Sequence, residues 1–197
     1  MGIYKDSMKL KLLLMIFPLV AIGALPPASK KLRYGVVHGK VKQVKDCLDK
    51  GESPLGPWPT GGTTPLMMAI RWDKKNVAEL LASINLVEQA QAENHSKKTA
   101  LHFAAEVADI SMILKLLKAG ANLKHVDANS TTPLFTAVKC IQTQNNSEHI
   151  YTIRLLFEAA DCYLSPEEKQ LWPLVLATQN QEVINLLEPY FFKRKIG

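Results

Sequence analysis

The chain predicts an all-α fold, a solenoid of about five stacked helix-turn-helix units, and three regularities among its 197 residues predict it. The triplets Thr64-Pro65-Leu66, Thr99-Ala100-Leu101, Thr132-Pro133-Leu134 and Trp172-Pro173-Leu174 start 35, 33 and 40 residues apart. Each is followed by an apolar stretch containing Ala. Then comes a paired apolar step: Leu80-Leu81, Leu116-Leu117, Leu155-Leu156 or Leu186-Leu187. A unit this short cannot bury an apolar face alone, so neighbours must stack and function must lie on the surface of the stack.

The units follow in order. The first is weak: Leu32-Arg33-Tyr34-Gly35-Val36-Val37-His38-Gly39 with Val44, Leu48 and Gly51, its Leu32 lying 34 residues before Leu66. The second keeps Gly62, Thr64-Pro65-Leu66, Ala69 and Leu80-Leu81, then loses a Gly-Ala close within 83–87. The third is the clearest, with Lys98-Thr99-Ala100-Leu101-His102-Phe103-Ala104-Ala105 and then Leu114-Lys115-Leu116-Leu117-Lys118-Ala119-Gly120-Ala121-Asn122. In the fourth, Leu134 to Ala160 spans 26 residues where Leu101 to Ala121 spans 20. Six extra residues are therefore expected between its helices, as an exposed polar loop within 142–149. A shortened fifth unit covers 171–188. End units depart from the pattern because they pack on one side only.

Each recurring residue has a physical task. Thr at the triplet's start caps the first helix by accepting from a free backbone N–H, and Pro after it wastes no N–H and has a preset φ. Gly120 ends a second helix in a conformation that a Cβ disfavours. Ala69, Ala104, Ala105, Ala137 and Ala177 let helices approach, and the Leu pairs, Leu116 and Leu117 above all, are expected in the core.

The third unit closely resembles an ankyrin repeat, whose motif runs T-P-L-H-x-A-A, then V-x-x-L-L, then G-A-D/N. The resemblance covers 31–188. It implies that His102 hydrogen-bonds backbone and ties adjacent units. It also implies a binding module whose partner contacts come from hairpin tips and the exposed face of the inner helices. Carried over by position, the inner-helix candidates are Val37, His38, Arg71, Trp72, Glu106, Val107, Lys139, Cys140, Gln179 and Asn180. The hairpin candidates are Thr60, Gly61, Thr63, His95, Ser96, Lys98, Ala128, Asn129 and Thr131. The expected partner-binding set is Trp58, Arg71, Trp72, His95, Lys98, Glu106, Val107, Asn129 and Lys139. Trp and Arg most often carry interface energy, which singles out Arg71 and Trp72. Trp72 is open to a second role, a ring folded onto the neighbouring unit. Trp58 sits in the Pro-rich stretch Pro54-Leu55-Gly56-Pro57-Trp58-Pro59 and either presents its ring to a partner or covers an edge of the first unit.

The first residues suggest an address. Lys9 and Lys11 precede fourteen uncharged residues, Leu12 to Leu25, that end in Ala21-Ile22-Gly23-Ala24-Leu25. This is the layout of a secretory leader with small residues at a cleavable site. Fourteen residues are too few to cross a bilayer comfortably. The domain limits are thus a leader at 1–24, repeats at 31–188 and a basic tail at 189–197. Met8 is an alternative start. Membrane attachment is expected only if the leader stays uncleaved, and the exported product is expected to be a monomer in a bacterial periplasm or outside the cell.

The formal charge of +6 falls to about +4 without the leader, a modest excess. Its lysines are scattered apart from Lys193-Arg194-Lys195, so nucleic acid is not an expected partner. Cys47, Cys140 and Cys162 lack C-x-x-C spacing and read as free thiols rather than a metal or redox motif. His38, His95, His125 and His149 fall in different units with no H-x-x-x-H pair. No G-x-S-x-G elbow or phosphate-cradling loop occurs; Gly61-Gly62 lacks the following Gly-Lys. No catalytic residue, metal or cofactor is expected. The sequence favours an exported adaptor or regulator that binds protein, with a bacterial effector delivered into a host cell and an enzyme inhibitor as alternatives.

Overall fold

The structure is a computed structural model that describes residues 25–141, 147–160 and 171–192. Its described helices form five pairs. These are α1 (Lys30–Val37) and α2 (Val41–Asp49), α3 (Pro65–Arg71) and α4 (Lys75–Ala82), α6 (Ala100–Glu106) and α7 (Ile110–Lys118), α8 (Pro133–Ile141) and α9 (Ser147–Ala159), and α10 (Leu171–Ala177) and α11 (Gln181–Phe192). A short extra helix, α5 (Leu86–Gln91), follows the second pair. First helices pack in sequence, α1 on α3, α3 on α6, α6 on α8 and α8 on α10, to make an inner layer; the second helices form the outer one. This is an all-α repeat solenoid.

The triplets work as capping chemistry predicts in the three middle units. Thr64 Oγ1 accepts from Met67 N–H at 3.4 Å and Thr132 Oγ1 from Phe135 N–H at 3.2 Å. Thr99 and His102 form a reciprocal box, with His102 Nδ1 accepting from Thr99 N–H at 3.2 Å. Trp172-Pro173-Leu174 differs: Trp172 already lies inside α10, so that triplet is not a cap. Each described turn between paired helices carries one left-handed residue at the same register: Gly39 (φ +66°), Asp73 (+50°), Ala108 (+54°) and Gln179 (+53°).

The core runs the length of the stack. Leu32, Leu66, Leu101 and Leu134 occupy one register of the inner helices and are buried, and Ala69, Ala104 and Ala137 beside them admit the neighbouring backbone. The paired apolar steps need correcting. Leu81, Leu156 and Leu187, the second members, are buried, but in the third unit it is the first member, Leu116, that is buried while Leu117 is half-buried. The buried position recurs 35 residues after Leu81, at Leu116, so the doublet there is displaced by one residue and Leu117 lies at the core's edge.

Three further expectations change. The second unit does close with a left-handed residue, but it is Asn85 (φ +48°) rather than Gly, and α5 follows it. Helix α5 touches α4, α6 and α7, so it is built into the junction of the second and third units. Its fully buried Gln89 donates from Nε2 to the Leu81 carbonyl at 2.7 Å and to that of Ile84, capping the end of α4. Of the 142–149 insertion, 142–146 lie outside the described residues, whereas Ser147–His149 open α9 and His149 is buried, so this part is not a loop. Helix α11 passes Pro189 and ends at Phe192, beyond the expected limit at 188. The leader, Cys162 and Lys193-Arg194-Lys195 lie outside the described residues.

Candidate functional site

Hairpins precede the first helices of the middle units and are closed by backbone bonds: Trp58 N–H to Thr63 O at 2.8 Å, Asn94 N–H to Lys98 O at 3.0 Å, and Asp127 N–H to Thr131 O at 3.0 Å. The second and third have five residues and a short polar side chain at the start. Asn94 Oδ1 accepts from the N–H groups of Ser96 and Lys98, and Asp127 Oδ1 from those of Asn129 and Thr131. The first is one residue longer and bends at Gly61 (φ +84°) and Gly62 (φ +67°). A Cβ on Gly62 would stand 2.4 Å from Cδ2 of His95, so glycine lets that ring lie against the hairpin.

The hairpins are joined to one another. His95 N–H donates to Gly61 O at 2.9 Å and Ala128 N–H to Ser96 O at 2.8 Å, which carries one ladder across three units. His102 Nε2 donates to Thr131 O at 3.0 Å, as the resemblance implies. Burial pushes its pKa down to about 4, so it is neutral. His125 adds a second tie that the motif does not supply. Its Nε2 lies 2.9 Å from Lys97 O and 3.2 Å from a Glu93 carboxylate oxygen, and its ring meets His102 edge-on at 5.9 Å. For Asp127, burial pushes the carboxyl upward, but the Thr131 and Asn129 N–H groups and the Thr131 hydroxyl outweigh it and hold the pKa low.

The inner helices carry the remaining candidates in two groups. In the first two units Trp72, at the C-cap of α3, is 51 % exposed, so its ring is not folded onto the stack; Arg71 beside it is also exposed. His38 occupies the equivalent place in α1. One turn earlier, Tyr34 packs against it with ring centroids 4.1 Å apart and planes tilted by 44°, and is 49 % exposed. Lys40 Nζ sits 4.7 Å from the Tyr34 ring centre. Sequence reasoning passed over Tyr34, although its i, i+4 spacing from His38 places both on one helical face.

The second group is more self-contained. Lys98 runs along α6: its Nζ lies 5.8 Å from the Phe103 ring centre and 3.5 Å from a Glu106 carboxylate oxygen. Lys98 and Glu106 are therefore paired with each other, and Val107 is half-buried against the core. Lys139 is exposed on α8 next to half-buried Cys140, whose thiol pKa is raised by burial and then by Glu106. Asn129 and His95 are exposed on the hairpins. Trp58 is half-buried and packs on the core. Gln179 and Asn180 form the last turn, where the Thr178 hydroxyl accepts from Asn180 N–H at 3.1 Å.

Among the described residues no group of three His, Cys, Asp or Glu side chains is placed to hold a metal ion. No described helix is long and apolar enough to cross a membrane. The arrangement offers hydrogen-bonding hairpin tips and an aromatic, cationic inner face, which suits recognition of another macromolecule.

Residues 34–127 match the family model for ankyrin repeats (3 copies). Neurogenic locus notch homolog protein 1 of Danio rerio is 40% identical over 74 residues, 38% of this chain and 3% of that protein. Its Homo sapiens counterpart is 40% identical over 76 residues, 39% of this chain and 3% of that protein. Tyrosine-protein kinase HTK16 of Hydra vulgaris is 33% identical over 110 residues, 55% of this chain and 14% of the kinase. The chain thus spans only a small part of these relatives, and their activities as whole proteins do not transfer with the match. Ankyrin repeats are an interaction fold; residues 34–127 carry them, and the stack they build is a protein–protein interaction module.

Proposed function

We propose that the chain is an exported adaptor or regulator that holds another protein along the inner face and hairpin tips of its repeats. The observation that carries this reading is Trp72, an indole half exposed beside an exposed Arg71 on a helix whose other apolar side chains are buried or half-buried. Large exposed aromatics next to arginine are the side chains that most often anchor interfaces. Export is supported by the basic, apolar, small-residue order of the first 24 residues. The same leader favours an envelope role over direct delivery into a host cytosol.

Two measurements test it. Trp72→Ala in the full chain should weaken a captured partner by about 2 kcal/mol or more while leaving the melting curve nearly unchanged. A variant that melts early and still binds would place Trp72 in the stack. For export, N-terminal sequencing should find mature protein starting at or after Ala24 and before Ala28, because Ala28 N–H bonds Pro57 O at 3.0 Å and Ser29 caps α1. An intact Met1 or Met8 would refute removal of the leader.

A further inference from the structure

Resting on that interaction reading, we propose that the first two units take an extended acidic segment of the partner, with an aromatic or aliphatic side chain set between its carboxylates. Three aromatic rings mark the place: Tyr34, His38 and Trp72, of which Tyr34 and His38 are in tilted ring contact and Trp72 stands one unit on from His38. Cations surround them. Lys40 lies over the Tyr34 ring, Arg71 precedes Trp72, and the Lys74 chain crosses the turn at Gly39, where a Cβ would come within 3.4 Å of Lys74 Cδ. Beside the turns a shallow cavity of about 290 Å³ is lined by Gly39, Asp73, Lys74, Lys75, Asn76 and Val77, two cations to one acid.

The charges on this face are not balanced from within. Asp73, the acid at these turns, lies 3.9 Å from Lys75, while Glu106 and Glu93 on the later units face Lys98 and His125. Among the described residues no ion pair uses Lys40, Arg71 or Lys74. A partner carboxylate meeting the Arg71 guanidinium gains a charge-assisted, bidentate bond, and an apolar side chain covering Trp72 and Tyr34 excludes water around it. Exposed aromatics with cations also suit single-stranded nucleic acid. That ligand needs a continuous basic track, whereas here the track is broken at the third unit, where Lys98 on the inner face is already paired with Glu106.

The test is selection of displayed random peptides on immobilised full-length chain, followed by affinities of labelled copies of the enriched peptides. Enriched sequences should be acidic around an apolar residue. Their affinity should fall at least about tenfold in Arg71→Glu and in Trp72→Ala, stay within about twofold in the outer-face control Lys118→Glu, and weaken as salt rises. Coincident melting curves for the exposed-site variants exclude misfolding. Neutral or basic peptides that still depend on Trp72 would overturn the acidic assignment and leave the inner-face reading standing. Acidic peptides equally sensitive to Lys118→Glu, or no enrichment at all, would also overturn it. So would a single-stranded oligothymidine that binds more tightly than any peptide and is lost in Arg71→Glu. Loss of the captured partner's dependence on Trp72 is the separate result that would sink the interaction reading itself.

Discussion

His149 donates from Nε2 to the carbonyl of Glu106 at 3.2 Å, joining the second helix of the fourth unit to the last residue of the third unit's first helix, 43 residues earlier. That carbonyl is among those a helix end leaves without an internal donor. His149→Ala should cost about 1–3 kcal/mol in urea unfolding, and deleting 147–149 should abolish a single cooperative transition. A stable deletion variant would show that α9 begins later than Ser147.

His102 makes stability depend on pH. Its folded pKa is about 4 because burial disfavours the charged ring, whereas the unfolded chain titrates near 6.5. The unfolded state therefore binds a proton first. Stability is complete above about pH 6.5 and declines as the pH falls toward 4, by at most about 1.4 kcal/mol per pH unit from this group. Asp127, held low by its donors, adds stability that is lost at still lower pH as the carboxylate protonates. Denaturant midpoints of the wild type and His102→Gln should diverge in slope between pH 6.5 and 4; parallel slopes would assign the effect elsewhere.

Leu116 and Leu117 should respond differently to truncation. Leu116→Ala removes a fully buried side chain and should cost about 2–5 kcal/mol. Leu117→Ala, at the half-buried edge, should cost clearly less. Equal losses in urea melts would restore the doublet to the core.

Gln89 should prove structural. Replacing it with Ala removes the side-chain donor from the Ile84 carbonyl and from the Leu81 carbonyl, which keeps the Ile84 N–H at 3.0 Å, at a cost of about 1–3 kcal/mol. Gln89→Glu should be worse at neutral pH, since it sets an anion against two carbonyl oxygens. A loss under about 0.5 kcal/mol for Gln89→Ala would mean that α5 is dispensable.

The sequence revealed what repeats: caps at Thr64, Thr99 and Thr132, the small Ala row, and the His102 tie all follow from short-range chemistry that recurs every 33 to 35 residues. What it concealed is what does not repeat. Helix α5 follows Asn85, which closes the unit in a left-handed turn usually given to Gly, so the missing Gly looked like a missing turn. His149 looked like loop because its polar neighbours outweighed one buried ring. The Leu116-Leu117 doublet hid its register, since either member fits an apolar step and only the spacing from Leu81 decides between them. At the candidate site Arg71 and Trp72 were legible by residue type. The pairing of Lys98 with Glu106 was not, because nothing in an eight-residue separation shows that a hairpin side chain will lie along the helix that follows it.

Lys98 has a consequence for how the face is used. Stretched over Phe103 toward Glu106, it is a tethered competitor for the surface that α6 would offer a visitor. A ligand reaching the third unit must exchange against that arm, while one confined to Tyr34, His38 and Trp72 meets only Lys40 over the Tyr34 ring, a cation that no carboxylate among the described residues holds. Occupancy should therefore begin in the first two units, and contact with the third should be gained only by ligands long enough and acidic enough to draw the Lys98 ammonium away from Glu106.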